Sequence, residues 1–181
     1  MLQTLKRLAG TALALVLTAT TATAQIPCVN GDAGGYPCQN IDLMGYLSSD
    51  EVGGGDMNDI WGWVDPSDGT EYAILGRSTG TSFIDISDPA NPVMVANLPT
   101  NTVTSFWRDI KVHDNHAFIV SEASGHGMQV VDLTQLGSID NPPQDIEADA
   151  LYSGWGNAHN IVINESTARA YGVGTATFAG G

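Results

Sequence analysis

From residue 58 onward, short apolar runs alternate with clusters of Gly, Pro, Asp, Asn and Ser, and no helix-period pattern follows residue 25. Such runs, bounded by turn residues, predict strands. The first group is Asn58 to Val64, Glu71 to Gly76, Thr81 to Ile86 and Val93 to Leu98. Its turns are Asp65-Pro66-Ser67-Asp68-Gly69 and Ser87-Asp88-Pro89-Ala90-Asn91-Pro92, with Pro and Gly where a reversal needs them. A second group repeats the order: Asp109 to His113, His116 to Ser121, Met128 to Leu133, and a fourth strand near Ile146 to Tyr152. A third opens with Asn160 to Ile163 and Ala170 to Gly174 around the turn Asn164-Glu165-Ser166. Many of these strands are apolar on both faces, as strands sandwiched between neighbours require.

The groups are copies of one unit. Asp59-Ile60-Trp61-Gly62-Trp63 returns as Asp109-Ile110-Lys111-Val112 and as Asn160-Ile161-Val162-Ile163, at spacings of 109 − 59 = 50 and 160 − 109 = 51. Several strands per period of this length predict a β-propeller blade. The expected fold class is therefore all-β: about two and a half four-stranded blades, starting near residues 58, 108 and 159, within a partial propeller over 41–181. Ile41 to Leu47 aligns with Pro92 to Leu98 (92 − 41 = 51) and predicts an isolated closing strand. Its partner blade and the rest of the third unit are lacking, so the sequence reads as truncated at its C-terminus, with sheet edges uncovered.

The N-terminus adds a compartment. Lys6 and Arg7 precede an apolar stretch from Leu8 to Leu17, and Ala22-Thr23-Ala24 is a small-residue cleavage site, so residues 1–24 predict a secretory signal peptide. The apolar stretch is too short to span a bilayer, and no later segment qualifies. Secretion or display at the cell surface follows. In that setting Cys28 and Cys38, which bracket the glycine-rich loop of the 25–40 segment, are expected to pair. Closing so small a loop contributes ~2–3 kcal/mol.

Charge narrows the partners. The chain has 20 Asp+Glu and 6 Lys+Arg. Without Lys6 and Arg7 the net charge is 4 − 20 = −16. A surface this acidic repels nucleic acid and anionic lipid. A protein, peptide or glycan at the cell exterior is the expected partner.

Several longer motifs carry a family resemblance. Thr81-Ser82-Phe83-Ile84-Asp85-Ile86-Ser87-Asp88-Pro89-Ala90-Asn91-Pro92 resembles the LVIVD repeat, and Met128-Gln129-Val130-Val131-Asp132-Leu133 is a partial second copy. Tyr36 to Leu43, Asn58 to Trp63, Trp107 to Val112, Ser121 to Gln129 and Asn157 to Ile161 resemble the choice-of-anchor B family across nearly the whole mature chain. The resemblance implies a secreted or surface-displayed β-propeller whose anchor varies between members. It implies no catalytic residue.

The repeat places Asn58, Arg108 and His159 in one register and Asp59, Asp109 and Asn160 in the next, at the start of successive innermost strands. These side chains are expected to converge at one channel mouth. Two readings stand: the six side chains bind a polar ligand, or a divalent cation with Asp59, Asp109 and His159 as its ligands, or the Asp and His residues tie neighbouring blades through backbone hydrogen bonds. Glu122 and His126, in a glycine-flanked loop, are either displayed for binding or part of an ordinary turn with a solvated imidazole. Trp61, Trp63, Trp107 and Trp155 either stack on sugars or pack between blades. Asp65 and Asp68 fail the EF-hand spacing, and Asn164-Glu165-Ser166, a glycosylation triplet, is explained by a hairpin turn. No nucleophile elbow, phosphate loop, CxxC pair or HExxH helix is present. The leading expectation is a non-catalytic binding module; the alternative is a metal-assisted hydrolase or lyase at the mouth, with Asp59, Asp109 and His159 as ligands or acid/base groups.

Overall fold

The computed structural model describes residues 25–177. The predicted signal peptide and the last four residues lie outside them. Among the described residues no helix is long and apolar enough to cross a membrane. The fold is all-β, in several small open sheets.

The N-terminal segment is a minimal hairpin, β1 (Asp32–Ala33) and β2 (Tyr36–Pro37), inside the Cys28–Cys38 disulfide, whose Cα atoms are 5.8 Å apart. Gly34 and Gly35 supply the positive φ angles (64° and 93°) of its turn.

The first sheet is an antiparallel meander of β3 (Met57–Val64), β4 (Glu71–Arg77), β5 (Gly80–Asp85) and β6 (Val93–Pro99). The second begins with β7 (Arg108–His113), β8 (His116–Ser121) and β9 (Met128–Asp132). Between β7 and β8, Asp114 and Asn115 both take positive φ (47° and 59°), as a two-residue type I′ turn demands. After β9 a 3-10 turn, Leu133–Ser138, leads to β10 (Gln144–Asp145) and β11 (Ala150–Tyr152). A hairpin of β12 (Asn160–Asn164) and β13 (Arg169–Val173) follows, with a 3-10 turn at Glu165–Thr167. The order of four strands, four strands and two is the one the repeat predicts.

The strand-closing aspartates have one local role. Asp85 accepts the Ser87 N–H at 2.9 Å and Asp132 accepts the Thr134 N–H at 3.0 Å. Each carboxylate completes an Asx turn and ends its strand.

Three expectations need correction. The fourth strand of the second unit is only Ala150–Tyr152, paired with β9. The preceding stretch crosses over instead: β10 adds in parallel to β6, and Ile146 donates its N–H to Asn97 O at 2.8 Å. Residues 41–47 form no strand. Leu43 makes one bridge, to Ile26, and Gly45 packs so closely on the Pro89–Pro92 turn that a Cβ there would lie 2.4 Å from Pro89 O. With no sheet edge alongside, the segment has no ladder to join. Finally, β3 is largely exposed rather than buried on both faces.

Two apolar clusters hold the sheets together. The larger contains thirteen residues, among them Trp63, Ile74, Phe83 and Leu98 of the first sheet against Ile110, Ile119 and Val131 of the second and Leu133 of the 3-10 turn after it. The smaller contains five, Val120, Met128, Trp155, Ala158 and Ile161, and seats the β12–β13 hairpin. Burying one such aliphatic side chain stabilises by ~1.5–3 kcal/mol.

Candidate functional site

The three inner strands lie in order, β3 against β7 and β7 against β12. Their first residues therefore meet, although they are about fifty positions apart in sequence. A cavity of about 160 Å³ is lined by Asn58, Asp59, Trp107, Arg108, Asp109, His159 and Asn160. All six residues of the two predicted registers converge there, with Trp107 added.

The carboxylates span the sheets. Asp59 Oδ2 accepts the Ile110 N–H at 2.9 Å, and Asp109 Oδ2 accepts the Ile161 N–H at 2.6 Å. The separations are 51 and 52 residues, so one repeat position makes the same bond twice. Asn58 adds a third crossing by donating from Nδ2 to Phe106 O at 2.5 Å. It can do so because residue 76 is glycine: a Cβ there would lie 2.8 Å from Asn58 Oδ1.

The two carboxylates differ in proton affinity. Burial pushes the Asp59 pKa up, against the Ile110 N–H, and the neighbouring Asp109 adds to the rise. Burial opposes ionisation at Asp109 too, but the Lys111 ammonium and the Ile161 N–H outweigh it and hold the pKa low. Lys111 Nζ lies 2.7 Å from Asp109 Oδ1 and 4.4 Å from the centre of the Trp61 ring.

Arg108 is buried and makes no ion pair among the described residues. Its Nε donates to Arg77 O (3.0 Å), Nη2 to Thr100 Oγ1 (2.9 Å), and Nη1 meets His126 Nε2 at 2.9 Å. Burial, with the Arg77 charge adding, lowers its pKa to about 10. The guanidinium therefore stays charged at neutral pH and binds the two sheets through neutral acceptors.

His126 is not a displayed imidazole: it is fully buried. Gly125 and Gly127, at φ 73° and 68°, curl its loop inward, and a Cβ on Gly127 would lie 2.4 Å from Tyr152 O. Nδ1 faces Gly127 O at 3.2 Å, so a neutral ring donating there presents a lone pair on Nε2 to Arg108. Burial lowers the pKa to about 4, with the Arg108 charge adding. Glu122 is paired instead with His159, Oε1 to Nδ1 at 2.5 Å, across 37 residues and at the half-exposed rim.

The tryptophans divide. Trp63 stacks on Tyr72 in the larger cluster and Trp155 is buried in the smaller. Trp61 and Trp107 are exposed. Trp107 stands edge-on to Phe106 (4.8 Å) and to His159 (5.8 Å), so an aromatic wall borders the polar cavity.

Sequence reasoning missed Lys111, Phe106 and the Arg108–His126 contact. Strand alternation offered the first, since Lys111 is two residues beyond Asp109 and shares its face. The last depended on how a loop folds inward. Among the described residues no three His, Cys, Asp or Glu side chains are grouped to hold a metal ion. Asp59 and Asp109 each spend an oxygen on a backbone amide, and His159 turns Nδ1 to Glu122. A larger cavity, about 390 Å³, adjoins the first sheet over Arg77, whose Nη1 is engaged by Gly53 O (2.6 Å), Gly54 O (3.0 Å) and Thr79 Oγ1 (2.9 Å). No family model, no curated protein and no solved structure matches this chain.

Proposed function

We propose that this chain is a secreted or cell-surface β-propeller repeat protein of the choice-of-anchor B kind, and that it binds a polar ligand, a peptide or a glycan of a partner at the cell exterior, without catalysing a reaction. One observation carries the reading: six side chains from three copies of one repeat meet at a single cavity, beside an exposed tryptophan. Amide, imidazole and carboxylate groups there offer both donors and acceptors, and the Trp107 ring offers a flat face for an apolar patch of a sugar or peptide. The Cys28–Cys38 disulfide supports an oxidising compartment. The Asp59 and Asp109 ties to Ile110 and Ile161 favour the structural role for these two carboxylates, which leaves Asn58, Trp107, His159 and Asn160 to meet the ligand.

The test is binding of the exported protein to arrays of oligosaccharides and of extracellular peptides, followed by titration of any hit against tryptophan fluorescence. Trp107→Ala and His159→Ala are expected to abolish the signal while leaving the melting temperature near that of the parent. Retention of full affinity by both variants would place the ligand elsewhere and reject the reading.

A further inference from the structure

The larger cavity, outside the inner-strand site, has a buried cation of its own. It encloses about 390 Å³, a volume within the range of small-molecule sites. Three parts of the chain wall it: the turn of residues 48–54, the first sheet at β4 and β6, and the crossover at 143–145. None of its lining residues belongs to β3 or to the β12–β13 hairpin.

Arg77 lines this cavity and is 2% exposed. Its Nη1 is shared among Gly53 O, Gly54 O and Thr79 Oγ1, and Nη2 donates to Asn97 Oδ1. Nε, also buried, has no acceptor among the described residues. All the acceptors are neutral, and among the described residues no carboxylate forms an ion pair with Arg77. Behind it Arg108 donates from Nε to Arg77 O at 3.0 Å, which brings a second guanidinium close. A buried charge costs folding free energy unless it is paired. Nε and Nη2 together can take both oxygens of a carboxylate.

The rim has the opposite sign. Asp50, Glu51 and Asp145 line the same cavity and are exposed. Asp145 spends Oδ1 on Asn97 Nδ2 at 2.7 Å, and Glu51 spends Oε2 on the N–H and hydroxyl of Ser48, so each keeps its other oxygen for a donor. Met94 and Pro143 add apolar surface. A simple anion is repelled by three carboxylates and a simple cation by the guanidinium. A molecule with a carboxylate at one end and cations further along satisfies both.

We infer that this cavity binds a free α-amino acid with a basic side chain, lysine or arginine. Its carboxylate pairs with Arg77, its ammonium and side-chain cation pair with Asp50, Glu51 and Asp145, and its methylenes lie along Met94 and Pro143. The inference does not depend on what the inner-strand cavity binds.

The experiment is isothermal titration calorimetry of the purified exported protein with L-lysine and L-arginine. Saturable one-to-one binding of at least one is expected. Lysinamide, which lacks the carboxylate, and Nα-acetyl-lysine, which lacks the α-ammonium, should each bind about 10–100-fold more weakly than lysine, as loss of a charged hydrogen bond dictates. Asp50→Asn combined with Asp145→Asn changes exposed residues only, and should weaken lysine binding to a similar degree with the melting temperature unchanged. Arg77→Lys should weaken it too; if that variant misfolds, the lysinamide comparison reads the same contact in the parent protein. Trp107→Ala, at the inner-strand cavity, should bind lysine as the parent does. Absence of binding by both amino acids overturns the inference. So does lysinamide binding as tightly as lysine, since the acidic surface would then merely attract cations. Full affinity in the double rim variant, or loss in Trp107→Ala, overturns it as well.

Discussion

The contact between the first and second sheets and the contact between the second sheet and the β12–β13 hairpin use one device, an inner-strand carboxylate on the next isoleucine's amide, yet their surroundings differ. At the first, Asp59 lies beside another carboxylate, Asp109, and makes no ion pair among the described residues. Thirteen buried apolar residues and the Arg108 hydrogen bonds to Arg77 O and Thr100 Oγ1 do most of the holding. At the second, only five apolar residues are buried, but Asp109 has Lys111 at 2.7 Å and a shorter bond to the amide. A repeated residue therefore carries a repeated bond without a repeated energy. The first contact is held mainly by apolar burial, and the second depends more on a charged hydrogen bond.

Core truncation should separate the two contacts most widely. Ile110→Ala is expected to cost about 3–5 kcal/mol and Ile161→Ala about 2–3 kcal/mol, within the range for buried aliphatic truncations. Urea denaturation reads both. Equal losses would mean that cluster size does not distinguish the contacts.

The buried imidazole gives the next largest effect. The His126 pKa falls from 6.5 to about 4 on folding. A lowered pKa means the unfolded chain takes the proton first, so stability from this group is full above pH 6.5 and is lost as pH falls toward 4. The loss should approach about 3 kcal/mol, at 1.36 kcal/mol for each pKa unit. His126→Gln should flatten that part of the profile, and a variant with the parent's slope would show that His126 is not the group responsible.

The carboxylates should respond in opposite senses. Asp109→Asn is expected to lower stability at pH 7 by ~1.5–3 kcal/mol, the range for a hydrogen bond to a charged group. That deficit should shrink in acid, because a carboxylate with a lowered pKa stabilises above its unfolded pKa and loses its contribution as pH falls through the folded value. Asp59→Asn should leave the melting temperature unchanged or raise it. Its raised pKa favours the protonated form, so its ionisation opposes folding as pH rises through the folded value, and the amide can still accept the Ile110 N–H. A large loss at Asp59 would break the comparison.

Glu122→Gln should matter least, at no more than ~1 kcal/mol, because the Glu122–His159 pair is half-exposed. Thermal melts at low and high salt would show it, and a loss well above that would mean the rim pair carries more load than its exposure allows.

Much of the strand order was legible because alternation, turn residues and a fifty-residue period agree from Asn58 to Val173. The two site registers were legible for the same reason: if the units stack, equivalent positions must meet. What was not legible lay where one segment's partner is chosen by another. Residues 41–47 match a strand in pattern but find no edge to pair with. Gln144–Asp145 leaves its own unit and joins β6. His126 reads as a polar loop residue, and only the left-handed glycines on either side, with Arg108 waiting behind them, bury it.

The amino-acid order alone determined the strand succession, the repeated Asp and Ile positions, the acidity, and a cysteine pair spaced to close a short loop, because each depends on local conformation or on composition. Tertiary structure decided which histidine meets Glu122, which tryptophans are buried, and why two equivalent aspartates hold their protons differently. Those outcomes depend on burial and on charges brought together from distant parts of the chain, where desolvation and hydrogen bonding act on the neighbours a side chain acquires rather than on its sequence position.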